Sequence, residues 1–175
     1  MSNLTPFLVR PSAQYKNSFI QATYEYIQEN LGISWNPKIL EERFQEYIRT
    51  IHDQETDPMA GYVPSTQFWL IANGDTYAGE IDVRHMLNDS LRQYGGHIGY
   101  KVRPTLRRLG YGKLMCQLGI QEARKMGLTD LLITCDDDNI GSQKIIEASG
   151  GILQDNIDND RDGILTRRYW VYHNP

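Results

Sequence analysis

Two strand-like segments joined by a three-residue turn constrain the fold of this chain more than any other feature. The segments are QFWLIA, at residues 67–72, and TYAGEIDVRHML, at residues 76–87. Asn73, Gly74 and Asp75 separate them, and these residue types tolerate the positive φ angles that a tight hairpin needs. The chain must therefore contain an antiparallel strand pair, around which the other elements are arranged.

Strand-like and helix-like segments alternate along the rest of the chain. FLVRP, at residues 7–11, predicts a short strand, and apolar residues at helical spacing predict two helices, at about 13–29 and 37–52. The segments after the hairpin are HIGYKVRP (97–104, strand), a helix over about 110–126, DLLITC (130–135, strand), a short helix over 140–148, GGILQDN (150–156, strand), an acidic loop from 157 to 163, and ILTRRYWVYH (164–173, strand). The order β-α-α-β-β-β-α-β-α-β-β predicts an α/β (mixed α+β) fold, with helices on the faces of one mixed sheet.

Composition and charge limit the classes of partner. A chain of 175 residues is expected to form a single domain over 1–175. The net charge of −4 argues against nucleic acid as a partner, and no apolar run approaches the roughly 20 residues that span a bilayer. The N-terminal residues lack the pattern of a signal peptide. Cys116 and Cys135 form no CxxC pair, which fits a reduced compartment without a zinc site. We therefore expect a cytoplasmic protein without a nucleic-acid or membrane partner.

One loop concentrates positive charge and glycine in a chain that is acidic overall. RPTLRRLGYGKLM, at residues 103–115, joins a predicted strand to a helix that begins near Gly110. Unpaired N–H groups at a helix start attract anions, and Gly110 and Gly112 would let an anion approach them closely. Arg107 and Arg108 add full charges that suit phosphate oxygens. The stretch 101–125 holds seven basic residues and one acid. This loop is therefore predicted to bind a phosphate group.

The loop matches one phosphate-binding pattern and fails two others. Leu114 follows Gly112-Lys113, which breaks the Walker pattern, and Met115 stands where the dinucleotide pattern GxGxxG needs its third glycine. Residues 107–112, RRLGYG, fit [Q/R]-x-x-G-x-[G/A] instead. With its placement between the strand and the helix, and before LLITCDDDNIGSQKIIEASGG, this motif resembles that of the GNAT superfamily of acyl-CoA-dependent N-acyltransferases. The resemblance is clear over about residues 66–156.

The resemblance implies a fold, a cosubstrate and a set of binding residues. Members of this family have a central mixed, mostly antiparallel sheet flanked by helices on both faces, and acetyl-CoA lies where the HIGYKVRP strand splays from DLLITC. The motif asparagine is Asn139, which would also suit a helix N-cap. The residues implied to hold acetyl-CoA are Tyr100 and Val102 through their backbone, the loop residues Arg107, Arg108, Leu109, Gly110, Tyr111 and Gly112, and Asn139 with Ser142.

The chain departs from the family pattern at the usual proton donor. Many members have a tyrosine seven residues after the motif asparagine, and this position is Ile146 here. Gly150-Gly151 replaces the usual Gly-Phe. A thiol has a reference pKa of about 8.5, so water or another group could protonate the leaving thiolate. Tyr111 and Tyr169 are the substitutes that the sequence offers.

Direct attack by an amine also needs a group that removes its proton. Glu80 and His97 are the predicted catalytic residues, and His85 is a weaker alternative. Asp82 shares strand parity with Glu80, so both side chains should point to one face. The two carboxylates could instead hold a cationic substrate, and Glu80 could simply be an exposed strand residue.

No metal site is predicted. Residues 136–147 and 158–169 each resemble part of a calcium loop, but Ile140 and Tyr169 occupy ligand positions. Ordinary turn chemistry explains both stretches.

The resemblance thus implies an N-acetyltransferase that moves the acetyl group of acetyl-CoA to a primary amine of a small molecule, with an amino acid, a polyamine or an amine-bearing antibiotic as the acceptor classes. Trp35, Tyr24, Tyr47 and the loop at 158–163 would shape the acceptor side. An amine of a protein or peptide is the alternative acceptor. A non-catalytic acyl-CoA sensor and a nucleotide-binding protein are the rival classes, and homodimer formation stays open.

Overall fold

A seven-stranded sheet forms the centre of the molecule. The computed structural model describes residues 4–31, 35–159 and 163–173. In chain order the elements are β1 (Phe7–Val9), α1 (Lys16–Gln28), α2 (Pro37–Asp53), β2 (Ser65–Ala72), β3 (Thr76–Arg84), β4 (Ile98–Val102), α3 (Tyr111–Lys125), β5 (Leu131–Asp136), α4 (Ile140–Glu147), β6 (Ile152–Asp158) and β7 (Leu165–Val171). This order is the predicted one, and the α/β class is confirmed.

The strand order is β1-β2-β3-β4-β5-β7-β6. Every neighbouring pair is antiparallel except β4 and β5, which are parallel. The predicted mixed, mostly antiparallel sheet is therefore confirmed. The parallel pair is short: Ile98 opposite Ile133 is its only registered residue pair among those that the structure describes. Beyond that pair the strands separate, and a gap opens inside the sheet.

Helices cover both faces of the sheet, as predicted. Leu70 packs in a core with α3 and α4, whereas its neighbours Trp69 and Ile71 pack in a second core with α1 and α2. This division follows from the alternation of side chains along a strand. The second core is rich in aromatic residues: Phe19 stacks on Trp69 with ring centroids 4.6 Å apart. It lies beneath α1 and α2 and forms the floor of one of the two cavities described below.

A bulge interrupts the alternation in β3. Leu70 pairs with Gly79 and Ile71 pairs with Tyr77, so Ala78 has no partner residue on β2. An extra residue of this kind shifts the following side chains to the other face. Tyr77 therefore lies on the same face as Glu80, to which its hydroxyl donates a hydrogen bond of 3.0 Å.

The predicted boundaries hold to within a few residues. Asn73 and Gly74 adopt φ angles of 52° and 88°, which confirms the tight hairpin between β2 and β3. A short 3₁₀ turn, Ala13–Tyr15, precedes α1. The predicted helix terminator Gly32 lies outside the described residues. The predicted acidic loop from 157 is wrong at its start, because β6 pairs with β7 as far as Asp158.

No helix within the described ranges is long and apolar enough to cross a lipid bilayer.

Candidate functional site

A cleft of about 620 Å³ opens where β4 and β5 separate. Its walls come from β4, from the loop before α3, from the first turns of α3 and from the start of α4. The predicted acetyl-CoA residues among its lining are Tyr100, Val102, Arg107, Arg108, Gly110, Gly112, Asn139 and Ser142. The structure therefore brings most of the predicted binding residues to one cleft. Leu109 and Tyr111 belong to the same loop but do not line it; the Leu109 side chain is 62% exposed.

The basic loop has an unusual backbone at two positions. Gly110 adopts φ of +87° directly before α3, and Arg108 adopts φ of +64°. A left-handed conformation strains a side-chain-bearing residue such as arginine but not glycine. Gly110 caps α3 without a side-chain hydrogen bond, and Gly110, Gly112 and Lys113 at the helix start line the cleft. The geometry suits an anion at the helix start.

The charge of Arg107 is partly engaged in this structure. Its Nη1 lies 2.6 Å from a carboxylate oxygen of Glu29, which follows α1. Both side chains are about two-fifths exposed, so the pair contributes little to stability. An incoming phosphate would compete with Glu29 for the Arg107 guanidinium.

Gly112 serves a packing function that the sequence did not indicate. A Cβ atom at this position would lie 2.7 Å from the Ile145 side chain of α4. The absence of a side chain at Gly112 therefore allows α3 and α4 to approach closely, as well as leaving the cleft open. The anion argument accounts for Gly110 better than for Gly112.

Asn139 and Ser142 connect the cleft to α4. The Oδ1 atom of Asn139 accepts a hydrogen bond of 3.0 Å from the backbone N–H of Ser142, which confirms the predicted N-cap. The side chain of Tyr100 crosses from β4 toward the same turn, and its hydroxyl lies 3.5 Å from the Ser142 carbonyl oxygen. Burial raises the pKa of Tyr100, so its hydroxyl stays protonated at neutral pH.

Tyr100 is a tyrosine whose side chain lines the cleft. Tyr111 and Tyr169, which the sequence offered as substitute proton donors, lie elsewhere. Tyr169 is fully buried, and its hydroxyl lies 3.5 Å from Glu147. Tyr111 packs against the core beneath α3, and neither side chain lines the cleft. Ile146 is fully buried in that same core, so the position where a tyrosine is usual points away from the cleft. Sequence analysis had assigned Tyr100 through its backbone alone.

A second cavity, of about 380 Å³, lies on the other side of β4. It opens between α1, α2 and the sheet, and aromatic side chains form much of its wall. Trp35 and Tyr47 line it as predicted, whereas Tyr24 points outward and is 42% exposed. Part of the predicted loop at 158–163 lies outside the described residues. We call this space the acceptor cavity.

The side chain of Lys101 lines both spaces. Tyr100 and Val102 pack toward the α3 side of the sheet, and Lys101 between them points toward α1. Its Nζ lies 2.9 Å from Glu80 and 4.5 Å from the centre of the Tyr26 ring. The cleft and the acceptor cavity therefore meet at Lys101, a residue that sequence analysis did not single out.

Glu80 lies on the floor of the acceptor cavity with its carboxylate fixed at both oxygens. Oε1 faces Lys101 and Oε2 accepts the hydrogen bond from Tyr77. The side chain is 14% exposed, so Glu80 is not an exposed strand residue. These contacts orient the carboxylate toward the point where the two spaces meet.

Asp82 lies on the same floor, as strand parity predicts. Its Oδ1 accepts a hydrogen bond of 3.2 Å from Gln67. Burial and, secondarily, the negative charge of Glu80 raise the pKa of Asp82 to about 6. A carboxylate with such a pKa is better matched to proton transfer near neutral pH than an ordinary aspartate is.

His97 and His85 lie outside both spaces. The Nδ1 atom of His97 accepts a hydrogen bond of 2.9 Å from the Leu132 N–H and so holds β4 beside β5. Burial and the charges of Arg92 and Arg84 lower the pKa of His97. His85 pairs through Nε2 with the Thr66 hydroxyl at 2.8 Å. These positions suit structural functions, and the prediction of His97 as the base receives no support from its location.

An ion pair ties α1 to the loop before α3. Arg103 donates two hydrogen bonds, of 2.9 and 2.6 Å, to Oε1 of Glu25. Thr105 donates from its hydroxyl to the other oxygen, at 2.8 Å. Burial alone would raise the pKa of Glu25, but the hydrogen bonds from Arg103 and Thr105 lower it. We call Arg103, Glu25 and Thr105 the α1 clamp, because they join α1 to the segment between β4 and α3, which also carries cleft residues.

Metal-binding clusters and ionised cysteine thiols are not found among the described residues. Within the described ranges no group of three or more His, Cys, Asp or Glu side chains could hold a metal ion, while Asp160 and Asp162 lie outside them. Burial raises the pKa values of Cys116 and Cys135 to about 11, so neither thiol is ionised at neutral pH.

Comparisons with known proteins agree with this geometry. The family model described as an acetyltransferase (GNAT) domain matches residues 12–152. No curated protein sequence matches the chain.

Several solved structures share the fold at low sequence identity. A ribosomal L7/L12 alpha-N-protein acetyltransferase (RimL), in complex with coenzyme A, is 15% identical with a TM-score of 0.70, over 97% of this chain and 94% of that one. The microcin C7 self-immunity acetyltransferase MccE, with acetyl-CoA and AMP, is 14% identical with a TM-score of 0.66, over 95% and 92%. RimJ of Mycobacterium smegmatis, with a CoA disulfide, is 12% identical with a TM-score of 0.70, over 95% and 81%.

Proposed function

Because the chain belongs to the GNAT acetyltransferase family and is therefore an acyltransferase, we propose that it transfers the acetyl group of acetyl-CoA to a primary amine of a small molecule. One observation carries the proposal. The cleft between β4 and β5 and the acceptor cavity meet at Lys101, with two carboxylates on the cavity side. An acyl donor in the cleft and an amine in the acceptor cavity could therefore approach each other at Lys101.

Acetyl-CoA would lie along the cleft. The pyrophosphate would contact Arg107, Arg108 and the N–H groups at the start of α3, where positive charge and the helix dipole act together. The pantetheine arm would pass between β4 and β5 beside Asn139 and Ser142. The coenzyme A and acetyl-CoA complexes of proteins that share this fold support this placement.

The acetyl group would then be transferred in one direct step. The neutral amine attacks the thioester carbon, a C–N bond forms, and the C–S bond breaks. Backbone N–H groups of β4 would stabilise the oxyanion, as preorganised donors do. The proton lost by the amine passes to Asp82 or Glu80, directly or through water. The leaving thiolate takes a proton from solvent or from the Tyr100 hydroxyl, and coenzyme A departs as the free thiol.

A peptide or protein amine is the second candidate acceptor. Proteins named as ribosomal-protein acetyltransferases share the fold, which keeps this candidate open. The volume of about 380 Å³ favours a small molecule, since it lies at the lower end of the range for ligand pockets.

Binding of acetyl-CoA is the first test. Calorimetric titration should give saturable binding to the wild type, with affinity lowered about tenfold or more, about 1.4 kcal/mol, by Arg107→Ala and by Gly110→Val. Gly127→Val is the matched control for the glycine, because Gly127 also has φ of +87° and no atom within 4 Å of its missing Cβ. Arg49→Ala, an exposed position on α2, is the control for the arginine.

Turnover is the second test. Free thiol should appear when the protein, acetyl-CoA and a small primary amine are mixed, and the acetylated amine should form in equal amount. Binding without thiol release, across small amines and peptides alike, would favour a non-catalytic acyl-CoA sensor. Lack of acetyl-CoA binding at millimolar ligand would overturn the proposal altogether.

A further inference from the structure

The acceptor cavity holds charged side chains of both signs in equal number. Glu80 and Asp82 supply two carboxylates, and Arg84 and Lys101 supply two cations. A cavity built for a polyamine should carry surplus negative charge, and one for an acidic ligand should carry surplus positive charge. A balanced set suits a ligand that itself bears one charge of each sign.

The two cationic side chains, Lys101 and Arg84, differ in the partners that the protein gives them. Lys101 is paired with Glu80 at 2.9 Å. Arg84 donates through Nη1 to the carbonyl oxygens of Gly95 and Gly96, at 2.7 and 3.0 Å, and these are the hydrogen bonds of its side chain to the described residues. Its remaining donors stay available to a bidentate acceptor such as a carboxylate. Burial lowers the pKa of Arg84, and the negative charge of Asp82 opposes this shift.

The charged residues of β3 follow one another along one face of the strand, with the two carboxylates first and the guanidinium last. Glu80, Asp82 and Arg84 alternate with core residues and so share one face. Successive residues on one face lie about 7 Å apart at the backbone. Asp82 lies between Glu80 and Arg84 on this face, so an ammonium at the carboxylates and a carboxylate at Arg84 would occupy neighbouring positions along β3.

The rest of the wall combines aromatic and aliphatic side chains with threonine, serine and glutamine, and it contains a tyrosine hydroxyl without an aligned hydrogen bond. Phe19, Trp35 and Tyr47 line the cavity, which fits an apolar or aromatic side chain. Tyr26 also lines it and is 2% exposed; its hydroxyl lies near the Tyr77 hydroxyl, which itself donates to Glu80, and it makes no well-aligned hydrogen bond to the described residues. A buried polar group without a partner is costly, so a ligand that offers one is favoured.

From these observations we infer that the acceptor is a free amino acid with an apolar or aromatic side chain, bound by its ammonium at Glu80 and Asp82 and by its carboxylate at Arg84. The inference rests on the proposed function, since it names the substrate class of the same site. In the reaction the bound ammonium first loses one proton to the carboxylate pair. The neutral nitrogen then attacks the thioester carbon, a C–N bond forms and the C–S bond breaks. The second nitrogen proton is lost as the amide forms, the sulfur takes up one proton, and coenzyme A leaves as the thiol.

The test compares amines that differ in a single group. Thiol release is measured with phenylalanine, phenylalaninamide and phenethylamine, and with other apolar amino acids and their amides. We expect kcat/KM to be at least tenfold higher for the acids than for the matched amides and for phenethylamine. In Arg84→Gln the ratio of kcat/KM for an acid to kcat/KM for its amide should fall toward one. The exposed-site control Arg49→Gln should keep the wild-type ratio. A ratio between two substrates of the same protein sample does not depend on how much of a variant is folded.

Several outcomes would overturn the inference while the proposed function stands. These are equal rates for acids and amides, a ratio that survives Arg84→Gln, or preference for a peptide N-terminus over every free amino acid. Absence of thiol release with any amine or peptide, in a protein that binds acetyl-CoA, would instead overturn the proposed function.

Discussion

Asp82 is the side chain whose environment is most unusual among the charged residues of the acceptor cavity. Burial and the charge of Glu80 raise its pKa to about 6, whereas Glu80 is held at both oxygens by Lys101 and Tyr77. A carboxylate that is free to accept a proton and titrates near neutral pH suits general base catalysis. We therefore favour Asp82 as the group that takes the amine proton and Glu80 as the group that positions the ammonium.

The pH dependence of the reaction should reflect Asp82. We predict that kcat/KM rises with pH through about 6, because the base must be ionised. Glu80→Gln should move this limb to lower pH, since it removes a negative charge that raises the pKa of Asp82. Asp82→Asn should abolish the limb and lower kcat about a hundredfold or more. The measurement is the pH profile of thiol release with a fixed amine.

His97 provides the contrasting variant for that profile. His97→Asn should leave the position of the limb unchanged, because the imidazole accepts its hydrogen bond from Leu132 outside both spaces. A limb that disappears in His97→Asn and persists in Asp82→Asn would make His97 the base instead.

Asp82 should also reduce stability at neutral pH. Its folded pKa of about 6 lies above its ordinary value of 3.8, so the folded state binds the proton more tightly than the unfolded state. Its contribution to stability is therefore present at low pH and is lost as pH rises through about 6. Asp82→Asn should stabilise the protein by about 1–3 kcal/mol at neutral pH and have little effect near pH 4. Urea unfolding at both pH values measures this, and the exposed Asp57→Asn should show no such difference.

At the scale of elements, the bulge in β3 changes which residues reach the acceptor cavity. Strict alternation places Tyr77 on the opposite face from Glu80 and Asp82. The unpaired Ala78 brings Tyr77 to their face, where its hydroxyl orients Glu80. The sequence predicted the strand and the shared parity of the two carboxylates. It did not predict the bulge, because the bulge depends on how β3 pairs with β2.

The α1 clamp should connect the stability of α1 to binding in the cleft. Arg103 and Glu25 are 11% and 18% exposed, so their pair is screened far less than a surface pair. We predict that Glu25→Gln destabilises the fold by about 2 kcal/mol and weakens acetyl-CoA binding, since α1 then no longer holds the loop that precedes α3. The Glu25 contribution should be lost as pH falls, because its folded pKa is lowered.

A double-mutant cycle checks the clamp. The coupling energy between Arg103→Gln and Glu25→Gln should exceed that of the exposed pair Arg43 and Glu46, for which less than about 1 kcal/mol is expected. Equal coupling energies, or unchanged acetyl-CoA affinity in Glu25→Gln, would show that the clamp does not support the cleft.

At the scale of the whole molecule, the sheet is divided by the gap between β4 and β5. Among the described residues, β4 and β5 are in register only at Ile98 and Ile133, and His97 exchanges hydrogen bonds with Leu132 beside that pair. A ligand that fills the gap should join the two parts and stabilise the fold by mass action.

We predict that acetyl-CoA raises the unfolding temperature by about 5–10 °C at a hundredfold excess over Kd, which corresponds to about 2.7 kcal/mol. Arg107→Ala should need a higher ligand concentration for the same shift, and Arg49→Ala should behave like the wild type. Differential scanning calorimetry at several ligand concentrations measures the effect. An unfolding temperature that does not change with acetyl-CoA concentration would contradict the assignment of the cleft as the acetyl-CoA site.

The sequence by itself determined the order of elements, the hairpin at Asn73-Gly74, the N-cap at Asn139 and the basic loop before α3. These features depend on residues close together in the chain, where periodicity, backbone propensity and capping act locally. Only the tertiary structure decided that Tyr100 rather than Tyr111 or Tyr169 lines the cleft, and that Lys101 joins the cleft to the acceptor cavity. The raised pKa of Asp82 and the balance of Arg84 against the carboxylates also arose there, because burial and charge proximity depend on segments distant in the chain.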